Sequence, residues 1–365
     1  MYKKNKRSYI REILDATDEN TISFAGGLPD KEFFPLLELS KASKKVFKNA
    51  NCLQYTKSQG IESLREKIAK IYTEKFDFPT TKDDILITTG SQQAFDIILK
   101  SLDCNEIIVE KPSYIGALGA FKVLDKKING FNKIAELNDL LNKKNILYTI
   151  SDYQNPSTKT YSNKKREKIS KILDKKESIL IEDGAYCFLN FKNKVKDPIS
   201  KSYRNSFHLG SFSKIVAPGL RLGWIRASKE NISSLLFAKE SLDLHTSTFN
   251  QMLIDEYLNS NDLFKHINKI NKEYYKKMNF MSMCFKKYIS SFSFKKPKGG
   301  MFIYGSFNED SMLLAKEALK ENIAFVPGEV FYIDEKSNEA RFNFTNTSCK
   351  DIEKGIKTLA SIVNK

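Results

Sequence analysis

The chain is poor in residues that mark several common classes of protein. Its 365 residues include five cysteines, three histidines and one tryptophan. The cysteines (Cys52, Cys104, Cys187, Cys284 and Cys349) are odd in number, far apart and form no Cys-x-x-Cys pair. That spacing indicates neither a disulfide framework nor a zinc knuckle. The histidines show no metal-ligand spacing, so no metal is expected, and His208 falls within a strand pattern. No apolar run reaches the ~18 residues of a membrane helix, so no membrane partner is expected. The basic start, Met1 to Arg7, has no apolar segment behind it and does not read as a secretory signal. A reducing cytoplasm is the expected compartment. Repeats and low-complexity linkers are absent. Hydrophobic residues at 41% and charged residues at 28% exclude intrinsic disorder and a collagen-like fibre.

Arginine is also scarce. Sixty Lys and Arg against forty-four Asp and Glu give a net charge of +16, yet only eight of the sixty are Arg. The lysines are spread along the whole chain. A nucleic-acid reader would show a clustered patch and a recognisable motif, so no nucleic-acid partner is expected. Each rare Arg is a candidate for work that needs a planar, bidentate fork.

The length suggests about two domains at ~100–200 residues each. Short apolar runs alternate with amphipathic stretches through the middle of the chain, which reads as a mainly parallel α/β sheet. Strands are expected at 85–88, 106–109, 146–150, 178–182, 206–209 and 223–227. Helices are expected at 92–102, 114–121 and 163–173. From Ser228 to about Ile289 the pattern turns helical, with a long helix around Asp262–Cys284. The tail alternates again: strands near 301–304, 323–326 and 340–344, and helices at 311–320 and from Cys349. The expected organisation is a large domain over 46–280 and a smaller α+β domain over 281–365. Residues 1–45 are expected to pack with the smaller domain.

In such a sheet, ligands sit beyond the carboxyl ends of the parallel strands. Those ends collect Thr89-Gly90-Ser91-Gln92, Tyr153-Gln154-Asn155-Pro156, Asp183-Gly184-Ala185-Tyr186 and Ser211-Phe212-Ser213-Lys214. One rim thus gathers a helix N-terminus, an amide, a carboxylate, a phenol, hydroxyls and an amine. Free N–H groups at a helix start bind phosphate, and Arg221 can close on the same anion. A phosphate cradle, a lysine and an aspartate opposite suit pyridoxal phosphate.

Ser211-Phe212-Ser213-Lys214 followed by Pro218-Gly219-Leu220-Arg221-Leu222-Gly223 resembles the lysine-attachment signature of class I/II aminotransferases. Ile22 to Asp30, Leu53-Gln54-Tyr55, Thr88 to Ala94 and Gly299-Gly300-Met301-Phe302 narrow the resemblance to the 2-aminoadipate/kynurenine aminotransferase branch. It runs from about Ser8 to the C-terminus. The resemblance implies the fold of type I pyridoxal-phosphate transferases, with a mainly parallel seven-stranded sheet between helices and a smaller α+β domain. It implies a pyridoxal 5'-phosphate aminotransferase that takes an L-amino acid and a 2-oxo acid such as 2-oxoglutarate by a ping-pong route, working as a homodimer with shared sites.

The same resemblance assigns roles. Lys214 is similar to the cofactor-attachment lysine, and Asp183 to the partner of the pyridine nitrogen. Tyr186 and Asn155 match the pair on the cofactor's phenolic oxygen. Ser91, Gln92, Ser211, Ser213 and Arg221 match the phosphate shell, and Tyr114 the aromatic stacked on the ring. Tyr55 matches a phosphate contact from the other subunit. Arg341 matches the clamp on the substrate α-carboxylate, with Gly27 and Asn155 beside the substrate. Plainer readings stand next to these: an N-cap for Asp183, a turn for Asn155, core packing for Tyr186, helix packing for Tyr114, and a strand-face salt bridge for Arg341. The chain departs from the family at Thr158, where a glycine is usual, at Gly184, where many relatives carry an acid, and at Thr56. Two other functions remain open: a β-lyase on the same scaffold, and a regulator using the fold to sense an effector. For the second, only about twenty residues precede Ser23, fewer than a DNA-reading module needs.

Overall fold

The computed structural model describes residues 12–363, apart from Leu14, Ala16, Asn105 and Asn193. The first eleven residues of the expected 1–45 segment lie outside them. The centre is a seven-stranded sheet built from β2 (Ile85–Thr88), β3 (Glu106–Glu110), β4 (Lys127–Phe131), β5 (Asn145–Thr149), β6 (Ile179–Asp183), β7 (Ser206–Ser211) and β8 (Gly223–Arg226). Their order is β2-β8-β7-β6-β5-β3-β4. The pairs from β4 to β7 are parallel, and β8 runs antiparallel to both β2 and β7.

Both faces of this sheet are covered. Ile108, Leu147 and Leu180 pack on one side with Phe131, Ile169 and Leu173. Ile107, Val109, Ile146, Tyr148 and Ile181 pack on the other with Phe95 and Phe121. Side chains alternate across a strand, so these unbroken aliphatic runs bury residues on both faces at once. The helices on the faces have local causes. In Asn163–Lys176, the Ser162 hydroxyl accepts the Lys165 N–H at the start, and Glu177 ends the helix in the left-handed conformation. Such capping supplies partners for backbone groups that a helix end leaves unpaired.

A second sheet, antiparallel, has the order β12-β13-β10-β9. Its strands are β9 (Ser293–Phe294), β10 (Phe302–Ser306), β12 (Val326–Pro327) and β13 (Glu339–Asn343). Near it, β1 (Ile22–Ser23) pairs in parallel with β11 (Ile323–Ala324). The helix Leu36–Val46 instead lies against Thr248–Ser260, with Lys45 bonded to Glu256 at 2.6 Å. The 26-residue helix Leu263–Tyr288 spans the two sheets: Asn271 donates to the Phe188 carbonyl and Lys277 to that of Thr345.

Most expected elements occur within one to four residues of their expected ends. Two differences matter for the site. Strand β4 has no counterpart in the sequence reading, because Lys-Ile-Asn-Gly-Phe is neither aliphatic nor cleanly alternating and sits at the sheet edge. The helix expected at 114–121 runs Ile115–Val123, which leaves Tyr114 as its extended N-cap residue.

Candidate active site

The antiparallel β8 explains how Arg221 reaches the rim. Gly223, at the start of β8, is the register partner of Thr88 and of Ser211, the last residues of β2 and β7. The start of β8 therefore lies where its neighbours end, and Arg221 arrives two residues earlier. Gly90 receives it. This glycine has φ +80°, and a Cβ there would stand 2.8 Å from Arg221 Nη2. Gly90 also caps the helix Ser91–Ser101, whose first N–H groups have no partner within the helix. Ser211 and Ser213 are buried nearby, with the Ser213 N–H bonded to Ser211 Oγ at 3.1 Å. Gln92 donates instead to the Gly116 carbonyl, at 2.8 Å.

Asp183 is the last residue of β6 and is buried. Burial pushes its carboxyl up to about 6, against hydrogen bonds from the Ala185 N–H and the Tyr148 hydroxyl and the charge of Lys214. The Tyr148 bond is 3.2 Å long. Lys214, in the turn after β7, is near enough for its charge to act on this carboxyl, and its Nζ donates to the Gly27 carbonyl at 2.8 Å. Although the residue keeps some exposure, burial is the largest cause lowering its amine to about 8. The charges of Arg341 and Arg221 push the same way, while Asp183 opposes them.

Above that floor, Asn155 Nδ2 donates to the Tyr186 hydroxyl at 3.2 Å. Arg341 Nη1 donates to Asn155 Oδ1 at 2.7 Å, and Nη2 to the Ala25 carbonyl at 2.7 Å. The Arg341 guanidinium lies over the Phe302 ring at 4.2 Å and the Phe331 ring at 5.0 Å. Arg341 is 1% exposed, and its Nε has no partner among the described residues. No carboxylate of the described residues pairs with it. The strand-face salt bridge that the sequence left open for Arg341 is therefore not formed. Burial lowers this guanidinium to about 10, opposed by Tyr186, Tyr114 and Tyr304.

The structure thus brings together Lys214, Asp183, Tyr186, Asn155, Arg341 and Gly27, with Arg221, Gly90, Ser91 and the two serines at the next strand ends. Tyr114 completes the group. Its phenol adds to the upward push on Tyr186, and its ring folds across Gly116, where a Cβ would stand 2.4 Å from it. Tyr55 stands apart: 78% exposed, it meets the edge of His245. Two contributors escaped the sequence reading. Gly116 makes room for the Tyr114 ring, and Tyr148 holds Asp183. The one signal for Tyr148 is a phenol following the aliphatic Ile146-Leu147 in a buried strand.

These groups fit pyridoxal phosphate. A buried carboxylate suits the ring nitrogen, an amide–phenol pair suits the phenolic oxygen, and a glycine-lined helix start beside Arg221 suits the phosphate. The sheet order and this rim define a type I pyridoxal-phosphate enzyme. The chain belongs to the aminotransferases of class I and II, whose family model matches residues 19–359. It is 35% identical to aromatic-amino-acid aminotransferase 1 of Thermococcus litoralis, over 99% of this chain and 92% of that protein. The kynurenine aminotransferase of Pyrococcus horikoshii superposes with a TM-score of 0.92 at 31% identity, covering 99% and 95% of the two chains. The α-aminoadipate aminotransferase of Thermus thermophilus, solved with N-(5'-phosphopyridoxyl)-L-leucine, gives 0.90 at 30%, covering 98% and 95%. The protein is a pyridoxal-phosphate-dependent aminotransferase. No helix among its described residues is long and apolar enough to cross a membrane.

Proposed function

We propose that the protein moves the amino group of an L-amino acid, 2-aminoadipate or an aromatic or similar one, to a 2-oxo acid such as 2-oxoglutarate. The two half-reactions would use one site in turn, by a ping-pong mechanism. The observation that carries this reading is Arg341. A guanidinium buried without a carboxylate partner is costly unless a ligand supplies one. Donor and acceptor acids differ in side chain but share an α-carboxylate, so one fork can hold both. The names of the similar proteins support the donor classes.

Pyridoxal phosphate, when bound, supplies an aldehyde carbon that joins amines and an electron-poor ring that takes up charge from Cα. The chain's own groups do the rest. Asp183 would hold the proton on the ring nitrogen, Asn155 and Tyr186 would face the phenolic oxygen, and Tyr114 would cover the ring. Ser91, Gln92, Ser211, Ser213 and Arg221 would hold the phosphate. Lys214 would attach the cofactor and then take and return the proton at the substrate's Cα. An amine lowered to about 8 is suited to that exchange near neutral pH. Gly27 would line the pocket beside the substrate.

We also propose a homodimer in which Tyr55 reaches the partner's phosphate site. Leu36, Leu37, Phe47, Leu53 and Tyr55 are all exposed, and a shared interface would cover such side chains. A screen of amino acids against 2-oxoglutarate tests the reaction. Transfer that requires the oxo acid and favours 2-aminoadipate or aromatic donors is expected. Release of ammonia and pyruvate without any oxo acid would point to β-elimination instead.

A further inference from the structure

Behind the phosphate end of the site lies a fully buried cation. Lys239, on the helix Lys229–Asp243, is 0% exposed. Its ammonium has three N–H bonds and meets three acceptors: Asp243 Oδ1 at 2.5 Å, Gln93 Oε1 at 3.0 Å and Thr246 Oγ1 at 3.0 Å. The acceptors are tied to the rim in turn. Gln93 Oε1 also accepts the Thr89 N–H at 2.8 Å. Gln93 Nε2 donates to Asp243 Oδ2 at 2.6 Å, and the Thr89 hydroxyl donates to the same oxygen at 3.1 Å.

Thr89 and Gln93 bracket Gly90, Ser91 and Gln92. The network therefore grips both ends of the anion loop from behind. An amide side chain can lie either way round. Here Lys239 and the Thr89 N–H both demand its oxygen and Asp243 its N–H, so the three together fix the direction of Gln93 and with it the tether on Thr89. Lys239 also neutralises Asp243, which would otherwise stand as a bare carboxylate behind a loop meant for an anion. A buried ammonium costs more than an apolar side chain of similar size. Burial does lower this one, while Asp243 opposes the shift. Stability alone does not account for keeping a charge here.

We propose that Lys239, acting through Gln93 and Asp243, is a positioning residue that presets the loop 89–92 for the cofactor's phosphate without touching it. This rests on the reading of Ser91, Gln92 and Arg221 as the phosphate shell. The test compares pyridoxal phosphate with pyridoxal, which has the same ring and no phosphate. The full-length chain, freed of cofactor, is titrated with each and followed by absorbance, and its unfolding midpoint is recorded. Lys239→Met and Gln93→Leu attack the network from opposite sides, and the second leaves the Lys239–Asp243 pair in place if the first folds poorly. For each, the dissociation constant for pyridoxal phosphate is expected to rise about tenfold or more, and that for pyridoxal by less than about threefold. Arg221→Met serves as the direct control. If it lowers the preference for the phosphorylated form while the network variants do not, the proposal fails and the shell stands. If Arg221→Met leaves the preference unchanged, the shell reading fails and takes the proposal with it. Equal losses for both ligands in the network variants would mark a purely structural role and also overturn it.

Discussion

Arg341 illustrates what a single side chain can decide. A lysine in its place would keep the charge but lose the planar fork. Arg341→Lys should lower kcat/KM about tenfold or more in each half-reaction, from ~1.5–3 kcal/mol per charge-assisted bond. Stopped-flow measurement of the two half-reactions checks this, and a loss confined to one would mean that Arg341 reads a side chain. Lys214 makes a separate prediction. Its amine lies well below the ordinary lysine value, at about 8, chiefly through burial beside two arginines. In the cofactor-free chain, acylation at Lys214 should rise with pH and level off above about 8. The same shift affects stability with a definite sign. A lowered folded-state value penalises the charged form, so this lysine costs stability below about pH 8 and the cost fades as pH climbs towards 10.5. Both residues could be singled out as candidates in the sequence, Lys214 by its place after Ser-Phe-Ser and Arg341 by the family resemblance. Gly116 and Tyr148 were not: the use of Gly116 shows only once the direction of the Tyr114 ring is known, and Tyr148 meets Asp183 from a different strand.

At the scale of elements, strands with unbroken aliphatic runs could be read directly. β2 occupies Ile85–Thr88, where the pattern places it. Direction could not be read, because nothing in Gly-Trp-Ile-Arg tells which way β8 runs. That direction carries Arg221 to Gly90, so the phosphate end depends on topology that pattern alone leaves open. Gly90 is the weakest link in that junction. Its φ of +80° suits few residues besides glycine, and an added Cβ would push against the guanidinium. Strain of this kind costs ~1–3 kcal/mol. Gly90→Ala should therefore weaken pyridoxal phosphate binding about tenfold or more in an equilibrium titration. Unchanged affinity would show that the loop tolerates the shift.

For the whole molecule, the composition was informative mainly through exclusion. Dispersed lysine spoke against nucleic acid, and scattered cysteine against a disulfide or zinc scaffold; Cys52, Cys104, Cys187 and Cys284 are buried thiols. Assembly is where the chain alone says least, since Tyr55 has its meaning only beside a second copy. Sedimentation equilibrium should give twice 41.9 kDa. Mixing Tyr55→Ala with Lys214→Ala chains, then reassembling them, should raise activity above that of either alone, because one site per mixed dimer would be intact. Activity in a stable monomer would end the shared-site reading. The proposed chemistry turns on Lys214 and its nearness to Asp183. Borohydride reduction of the cofactor-loaded protein, followed by digestion and mass spectrometry, addresses that directly. The phosphopyridoxyl mass is expected on the peptide containing Lys214 and on no other; label on a different lysine, or none at all, would rule out Lys214 as the attachment site.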